Sequence, residues 1–526
     1  MIDRPIVRDL LVLGVLALIV RSLAAWLIAD PPYTDAAYYQ LVAERLAGGH
    51  GFTVPVLWSF LEVGGRLPAD PMFPVPSNGH WMPLTSIVAA ASMIVFGVDW
   101  RAGQAPMILL SAALVPFTYL VAWELWASRR SAVIAGILAL FAGPLLVHYP
   151  LVENFAVFGV VGASALWTAT RAVRATNPSP WIIVSGALVG LATLARVDGI
   201  LLAVAPAIAW WIRRPGLVTG LGSAAACIAV LSPWLLRDLA VYGSPFPSAG
   251  GHTFWIRSYN EQFSIGHEVS LATFLGSGPV AIVGSRIGAW IELVGRTLGL
   301  LGGVFAIFFF GGAWIHRRRP ELAPFLGYWV VMFLVMGLVF AFHAPKGAYL
   351  HTASAWLPWA FAIAAGSVGA VASAGGRAWR FLRRPQTHRF LEVAGVAGAI
   401  LLSLVASAGQ VVSWNQSTAN LRQAADFLAA AAGPDDVVMS YDPARLNLMS
   451  GHPGVAPPFD PFDVIGQVVD AYDVHWVVVT LEGEQRDPLG LWEGAAATDA
   501  SGVHPQFLPA EPAFEAPGVR VFEVLR

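Results

Sequence analysis

Eleven apolar runs, nine of them good candidates to cross a lipid bilayer and two shorter, leave this chain few folds. A crossing takes about 20 residues, within a range of roughly 17–25. Backbone polar groups find no water in the hydrocarbon core, so such runs are helices. The runs are 7–28, 102–126, 131–148, 155–170, 181–195, 199–212, 217–236, 287–315, 322–342, 352–374 and 390–412. Charged residues make up 12% of the chain, about half the proportion usual in soluble domains. The expectation is a polytopic α-helical membrane protein with about eleven transmembrane helices.

Arginine orients the runs, because cytoplasmic connections are enriched in basic residues. The basic connections are Arg129-Arg130, Arg171 with Arg174, Arg213-Arg214, Arg317-Arg318-Arg319 and 377–389. A further apolar segment, 82–96, is short. If it does not cross, all five connections share a side with Arg4 and Arg8. If it crosses, all five move away from them. The first arrangement makes 82–96 an interfacial or re-entrant helix. The N-terminus is then cytoplasmic and the C-terminus extracytoplasmic, in the plasma (inner) membrane. The run 7–28 exceeds a signal-peptide core of about 7–15 residues, so it reads as a retained span. Long outer loops fall at 30–103, 237–286 and 343–351. The single cysteine, Cys227, rules out an intramolecular disulfide.

From Trp414 onward the chain has 16 acidic and 5 basic residues, unlike the part before it. The division expected is a transmembrane domain over 1–413 and a small extracytoplasmic α/β domain over 414–526. In the latter, 420–432 and 461–471 read as helices, and 437–441, 475–481 and 519–525 as strands. Such alternation suggests a partly parallel sheet serving as a docking element or lid.

The candidates for chemistry sit in the outer loops. Pro32-Tyr33-Thr34-Asp35 opens an amphipathic helix with Thr34 as expected N-cap, and Gly48-Gly49 ends it. Asp35 lies in its first turn, where the helix dipole favours a carboxylate; satisfying that dipole is the plainer account. Glu153 is a second acidic candidate, beside His148, Tyr149 and Asn154. Arg196 with Asp198 forms a third group, equally readable as a structural pair. Lys346 is the only lysine among 31 basic residues. Its persistence in an arginine-dominated chain suggests a need for a compact ammonium. Arg237 ends a span on the same side, and Tyr38, His80 and His351 join the substrate-binding candidates. Cations there suit an anionic headgroup such as a phosphate. A carboxylate near them suits removal of a proton from a hydroxyl.

In their order, several segments resemble the GT-C superfamily of glycosyltransferases that use polyprenyl-phosphate-linked sugars. They are Tyr33–Tyr39 with Gly48-Gly49-His50-Gly51, His80-Trp81-Met82-Pro83-Leu84, Leu151-Val152-Glu153-Asn154, Leu194–Gly199, and Pro233–Arg237 with Tyr242-Gly243-Ser244-Pro245. The resemblance covers roughly residues 1–370. It implies that Asp35 holds the catalytic carboxylate position, that Glu153 lies near the acceptor, and that Arg196, Arg237 and Lys346 hold the donor phosphate. Many relatives carry two adjacent acidic residues where this chain has Asp35-Ala36. No metal or other cofactor is therefore expected. The implied partners are a polyprenyl-phosphate-linked sugar, membrane lipids, and a glycan, lipid or protein acceptor; no nucleic acid is implied. Two other classes remain open here: a secondary transporter, and a non-catalytic lipid-binding protein. Transporters tend to show internal repeats and mid-membrane ionisable groups, and neither stands out.

Overall fold

The computed structural model describes residues 4–247, 253–266, 268–376, 378–480 and 505–525. Leu481, at the end of an expected strand, and Arg377, in an expected basic connection, lie outside the described residues. Helix α1 (Arg4–Trp26) leads to the first long loop, which contains α2 (Thr34–Ala47) and α3 (Leu84–Phe96). Then come α4 (Trp100–Trp126), α5 (Arg129–Phe141), the short α6 (Leu145–His148), α7 (Asn154–Arg174), α8 (Ser179–Ala195), α9 (Val204–Arg213) and α10 (Leu217–Tyr242). The second half holds α11 (Leu271–Gly276), α12 (Pro279–Leu300), α13 (Val304–His316), α14 (Ala323–Leu338), α15 (Tyr349–Gly375) and α16 (Pro385–Ala431). The last two helices are α17 (Pro443–Ser450) and α18 (Phe462–Ala471).

Six described helices are long and apolar enough to cross a membrane, or seven if α12 and α13 count as one bent span. The chain is an integral membrane protein. Several of the runs read from the sequence are broken rather than straight. The run 131–148 stops at Phe141, where Ala142 and Gly143 turn left-handed before α6. The run 199–212 opens as a 3-10 turn, Val197–Ala203, before α9. The run 287–315 bends by 107° between α12 and α13. Left-handed Gly302 and Gly303 make that corner, and Gly302 lies so close to Ala399 that a Cβ would come within 2.4 Å of it. Segment 82–96 is the 13-residue α3, packed against α2 and α4.

The arginines do gather at one end of the bundle. Arg129 makes a forked contact with Asp9 at 2.6 and 2.8 Å, joining the start of α5 to the start of α1. Arg130 pairs with Glu392 near the start of α16, and Arg171 with Glu124 at the end of α4. Glu321, before α14, takes Arg319 at 2.7 Å and Arg174 at 3.4 Å. Arg213 donates to the carbonyl of Ala175. Exposed ion pairs are worth little singly; here they mark which helix ends share a surface.

At the opposite end lies a six-stranded sheet. Its order is β2 (Val56–Leu57), β5 (Gly454–Val455), β4 (Val437–Ser440), β6 (Val474–Thr480), β8 (Val519–Glu523) and β7 (Phe514–Ala516). The first four run parallel, and β8 and β7 antiparallel. Strand β2 comes from the first long loop, where β1 (Thr53–Val54) also pairs with β3 (Val75–Pro76). Leu57 and Phe60 of that loop share an apolar core with Met439, Val455, Ile465 and Phe522. The segment 420–432 is the far end of α16, a single helix of 47 residues. Two local expectations change. Tyr33, not Thr34, is the extended residue before α2, and no side chain caps the helix there. The loop expected around Lys346 is a π-helical turn, Ala344–Ala348, running directly into α15.

Gly199 sits where the turn after α8 folds back on that helix. A Cβ there would lie 2.4 Å from the carbonyl carbon and 2.5 Å from the oxygen of Ala192, both backbone atoms. Overpacking of this kind costs about 1–3 kcal/mol. Gly199→Ala should therefore lower the thermal unfolding midpoint of the detergent-solubilised protein. An unchanged midpoint would mean that turn and helix separate freely.

Candidate active site

The opening of α7 decides where the site's chemistry sits. Glu153 is the extended residue before the helix, and its side chain turns back to accept the Asn154 N–H at 3.1 Å. This capping satisfies an orphan donor of the helix but buries the carboxylate completely, at 0% exposure. Its other oxygen accepts from the Tyr33 hydroxyl at 3.2 Å. From α15, His351 Nδ1 comes within 3.1 Å of Glu153 and 3.0 Å of the Asn154 side-chain oxygen. The imidazole is fixed by stacking on Phe155, with centroids 4.2 Å apart and planes at 15°. Asn154 also donates to the Tyr39 hydroxyl at 3.3 Å. Burial pushes the Glu153 carboxyl up to about 7, against the pull of the Asn154 N–H and the Arg196 charge.

Asp35, in the first turn of α2, faces this buried pair. One ligand atom from each of Asp35, Glu153 and His351 falls within 4.8 Å of the other two. Asp35 is partly exposed while Glu153 and His351 are buried. Two carboxylates and an imidazole match, in number and type, the donors that divalent cations accept. No metal was expected because Ala36 follows Asp35; Glu153 and His351, from other helices, are the groups that stand near Asp35 here.

Arg196 stands beside the trio. It is mostly buried and grips Asp198 through Nε at 2.9 Å and Nη2 at 3.3 Å. Asp198 also accepts from Thr352 on α15 at 2.9 Å. Arg196 Nη1 makes no hydrogen bond among the described residues and is not sealed from solvent. Its charge reaches Glu153, Tyr39 and His80.

The fold has counterparts among solved structures. ArnT from Cupriavidus metallidurans, bound to undecaprenyl phosphate, aligns over 98% of this chain and 97% of its own, with TM-score 0.59 and 14% identity. The oligosaccharyltransferase of Archaeoglobus fulgidus, in complex with zinc and sulfate, aligns over 90% of this chain and 68% of its own, with TM-score 0.57 and 13% identity. No family model matches the sequence, and neither does any curated protein. The chain has the GT-C fold.

Within this GT-C fold the sequence candidates separate into groups. Asp35, Glu153, His351 and Arg196 converge. Lys346 lies in the turn just before α15; a Cβ on its neighbour Gly347 would come within 3.8 Å of the His351 ring. Tyr38 is buried beneath the first loop, donating to Glu62 at 2.5 Å and accepting the Asn78 N–H at 2.7 Å. His80 packs against Trp58 with ring centroids 5.2 Å apart. Arg237 holds the loop: it donates to the Ser77 carbonyl at 2.8 Å and lies over the rings of Trp234 and Tyr242. No contact among the described residues joins it to the trio. The roles of Tyr33 and Asn154 as partners of Glu153 were not read from the sequence. The adjacency of Tyr33 to Asp35, and of Asn154 to Glu153, was the available signal.

Between the ordinary 4.5 and about 7, folded protein binds the Glu153 proton and unfolded chain does not. This group's contribution to stability is therefore full below 4.5 and lost as pH rises through 7. The shift corresponds to roughly 3 kcal/mol. Glu153→Gln should gain unfolding midpoint relative to the parent as pH is raised from 5 to 8. A difference that stays flat with pH would show that Glu153 titrates normally.

Proposed function

We propose that the protein transfers a sugar from a polyprenyl phosphate to an acceptor hydroxyl, with inversion, at the extracytoplasmic face of the plasma (inner) membrane. The observation that carries this reading is the convergence of Asp35, Glu153 and His351 beside an arginine with an open nitrogen. This cluster lies at the helix ends opposite the arginine-rich surface, as outward orientation requires under the positive-inside rule. The N-terminus is then cytoplasmic, the segment 414–526 acts outside as a lid, and eleven segments enter the membrane, some broken.

Asp35, the partly exposed carboxylate, takes the acceptor's proton. The acceptor oxygen bonds the anomeric carbon as the bond to the phosphate oxygen breaks. One displacement inverts that carbon. The phosphate leaves as an anion, stabilised by Arg196 Nη1 and by Lys346, in surroundings from which water is largely excluded. Glu153, held by Tyr33, Asn154 and His351, fixes the acceptor side. ArnT, which shares the fold, was solved with undecaprenyl phosphate, and that supports a lipid-phosphate donor here.

A second reading of the same site is favoured by its donor set. A divalent cation held by Asp35, Glu153 and His351 would supply Lewis-acid polarisation of the phosphate. Assay with a chelator separates the two: undiminished transfer supports the metal-free reading, and loss restored by a divalent cation supports the other.

Asp35→Asn keeps the side-chain shape and removes its basicity. Transfer should fall by about 10²–10⁴-fold while donor binding survives; activity within a few-fold of the parent would leave Asp35 as a helix-dipole residue only. Lys346→Ala should weaken polyprenyl phosphate binding by roughly 10- to 150-fold, the range of a charged hydrogen bond. Lys346→Arg should recover part of that. Equal affinity in parent and alanine variant would remove Lys346 from the phosphate site.

A further inference from the structure

We propose that His80 and His343, beside the stacked indoles of Trp58 and Trp81, form the subsite for the donor's sugar and accept a monosaccharide that carries no positive charge. The inference rests on the glycosyl-transfer reading above and names the substrate class of that site.

Its first support is unsatisfied hydrogen bonding. His80 makes no hydrogen bond through either ring nitrogen among the described residues, and its Nδ1 is sealed from solvent. His343 engages Gln262 at 3.1 Å through Nε2, yet its Nδ1 is buried without a partner. Unpaired buried polar atoms are costly, about 1–3 kcal/mol each, and call for an occupant. The two rings come from different segments, one before α3 and one before α15, and His343 lies near enough to influence His80.

The second support is the surface between them. Trp58 and Trp81 stack at 4.0 Å and 20°. The His80 ring is 5.2 Å from Trp58 and 5.9 Å from Trp81. Trp81 also lies 6.1 Å from Tyr39, whose hydroxyl meets Asn154 next to Glu153. A pyranose or furanose has an apolar C–H face and a rim of hydroxyls. The partly exposed Trp81 indole, backed by the buried Trp58 ring and flanked by neutral hydrogen-bonding groups, complements both.

Charge then narrows the class. Burial drives His80 down to about 3 and His343 to about 4, so both rings are neutral at pH 7. Glu62, which accepts from the Tyr38 hydroxyl, is pushed up to about 8 by burial and is neutral as well. An ammonium on the sugar would lose its hydration here without gaining a counter-charge from these neutral groups. Arg196 lies near this subsite too, and its charge further disfavours an amino sugar. A neutral pentose or hexose loses nothing of the kind.

The test uses the full chain in lipid nanodiscs and four probes: bare polyprenyl phosphate, and the same lipid carrying glucose, arabinose or an amino-pentose. The parent should bind the glucose or arabinose form more tightly than the bare and amino forms. His80→Ala and His343→Ala should each weaken the neutral-sugar form by about 3- to 10-fold, the range of a neutral hydrogen bond. Bare-lipid affinity should stay within about 2-fold. His343→Asn, which keeps a hydrogen-bonding group, should recover part of the loss and guards against a merely misfolded alanine variant. The inference is overturned if the amino-pentose form binds as tightly as the neutral forms. It is equally overturned if neither neutral sugar improves on the bare lipid, or if the variants weaken all four probes alike. A parent that binds none of the four overturns the glycosyl-transfer reading itself.

Discussion

A carboxylate that caps a helix is normally left at the surface, where water bears its charge. Glu153 is instead sealed in, and the arrangement around it follows from that confinement. Three elements remote in sequence must each bring a polar atom to it: Tyr33 from the entry to α2, Asn154 from the first turn of α7, and His351 from α15. Those same atoms bring Asp35 and Arg196 into register. Phe155, by stacking on His351, and Thr352, by bonding Asp198, extend the tie to the next residues on either side. Its burial therefore gathers polar atoms from three elements around one carboxylate, besides tuning its acidity.

Much of this was legible because membrane folding leaves coarse marks. A long apolar run must be helix, and the short arginine-rich connections share one set of helix ends, so the loops at the other end could be singled out before any contact was known. Asp35, Glu153, Arg196 and His351 followed as polar residues at outer helix ends. What the sequence hid was geometry set by glycine and by partnership at a distance. The corner at Gly302 and Gly303 lies inside an unbroken apolar run, and hydropathy carries no information about φ. Strand β2 is two residues long, and its partner lies about 400 positions away, so no local pattern announces it. His343 and Gln262 had no motif to mark them; only their closeness in space makes them a pair. Arg237 was misleading for the opposite reason, since its position at a span end is equally suited to gripping a phosphate or the Ser77 carbonyl.

The division of labour between the two ends of the bundle has a physical basis. Ion pairs at the basic end are mostly half-exposed and link neighbouring helix termini. At the other end polar groups are mostly enclosed; those around Glu153 engage one another, while His80 and His343 keep ring nitrogens without a partner among the described residues. A low-dielectric enclosure strengthens each remaining interaction and makes each unsatisfied atom conspicuous. Catalysis by fixed dipoles requires that kind of setting, and the first loop, stapled by Arg237 and Tyr242 at Ser77, closes it.

Helix α16 runs without interruption for 47 residues, about 70 Å at 1.5 Å per residue. Its start is tied to Arg130 at the basic end, and its last turns pack Leu421, Ala424 and Leu428 against the sheet. The sheet in turn holds β2 of the first loop. The protein thus contains a ruler: the distance between its basic surface and the roof of its site is set by helix pitch. The protein, and not the thickness of the surrounding membrane, determines that distance.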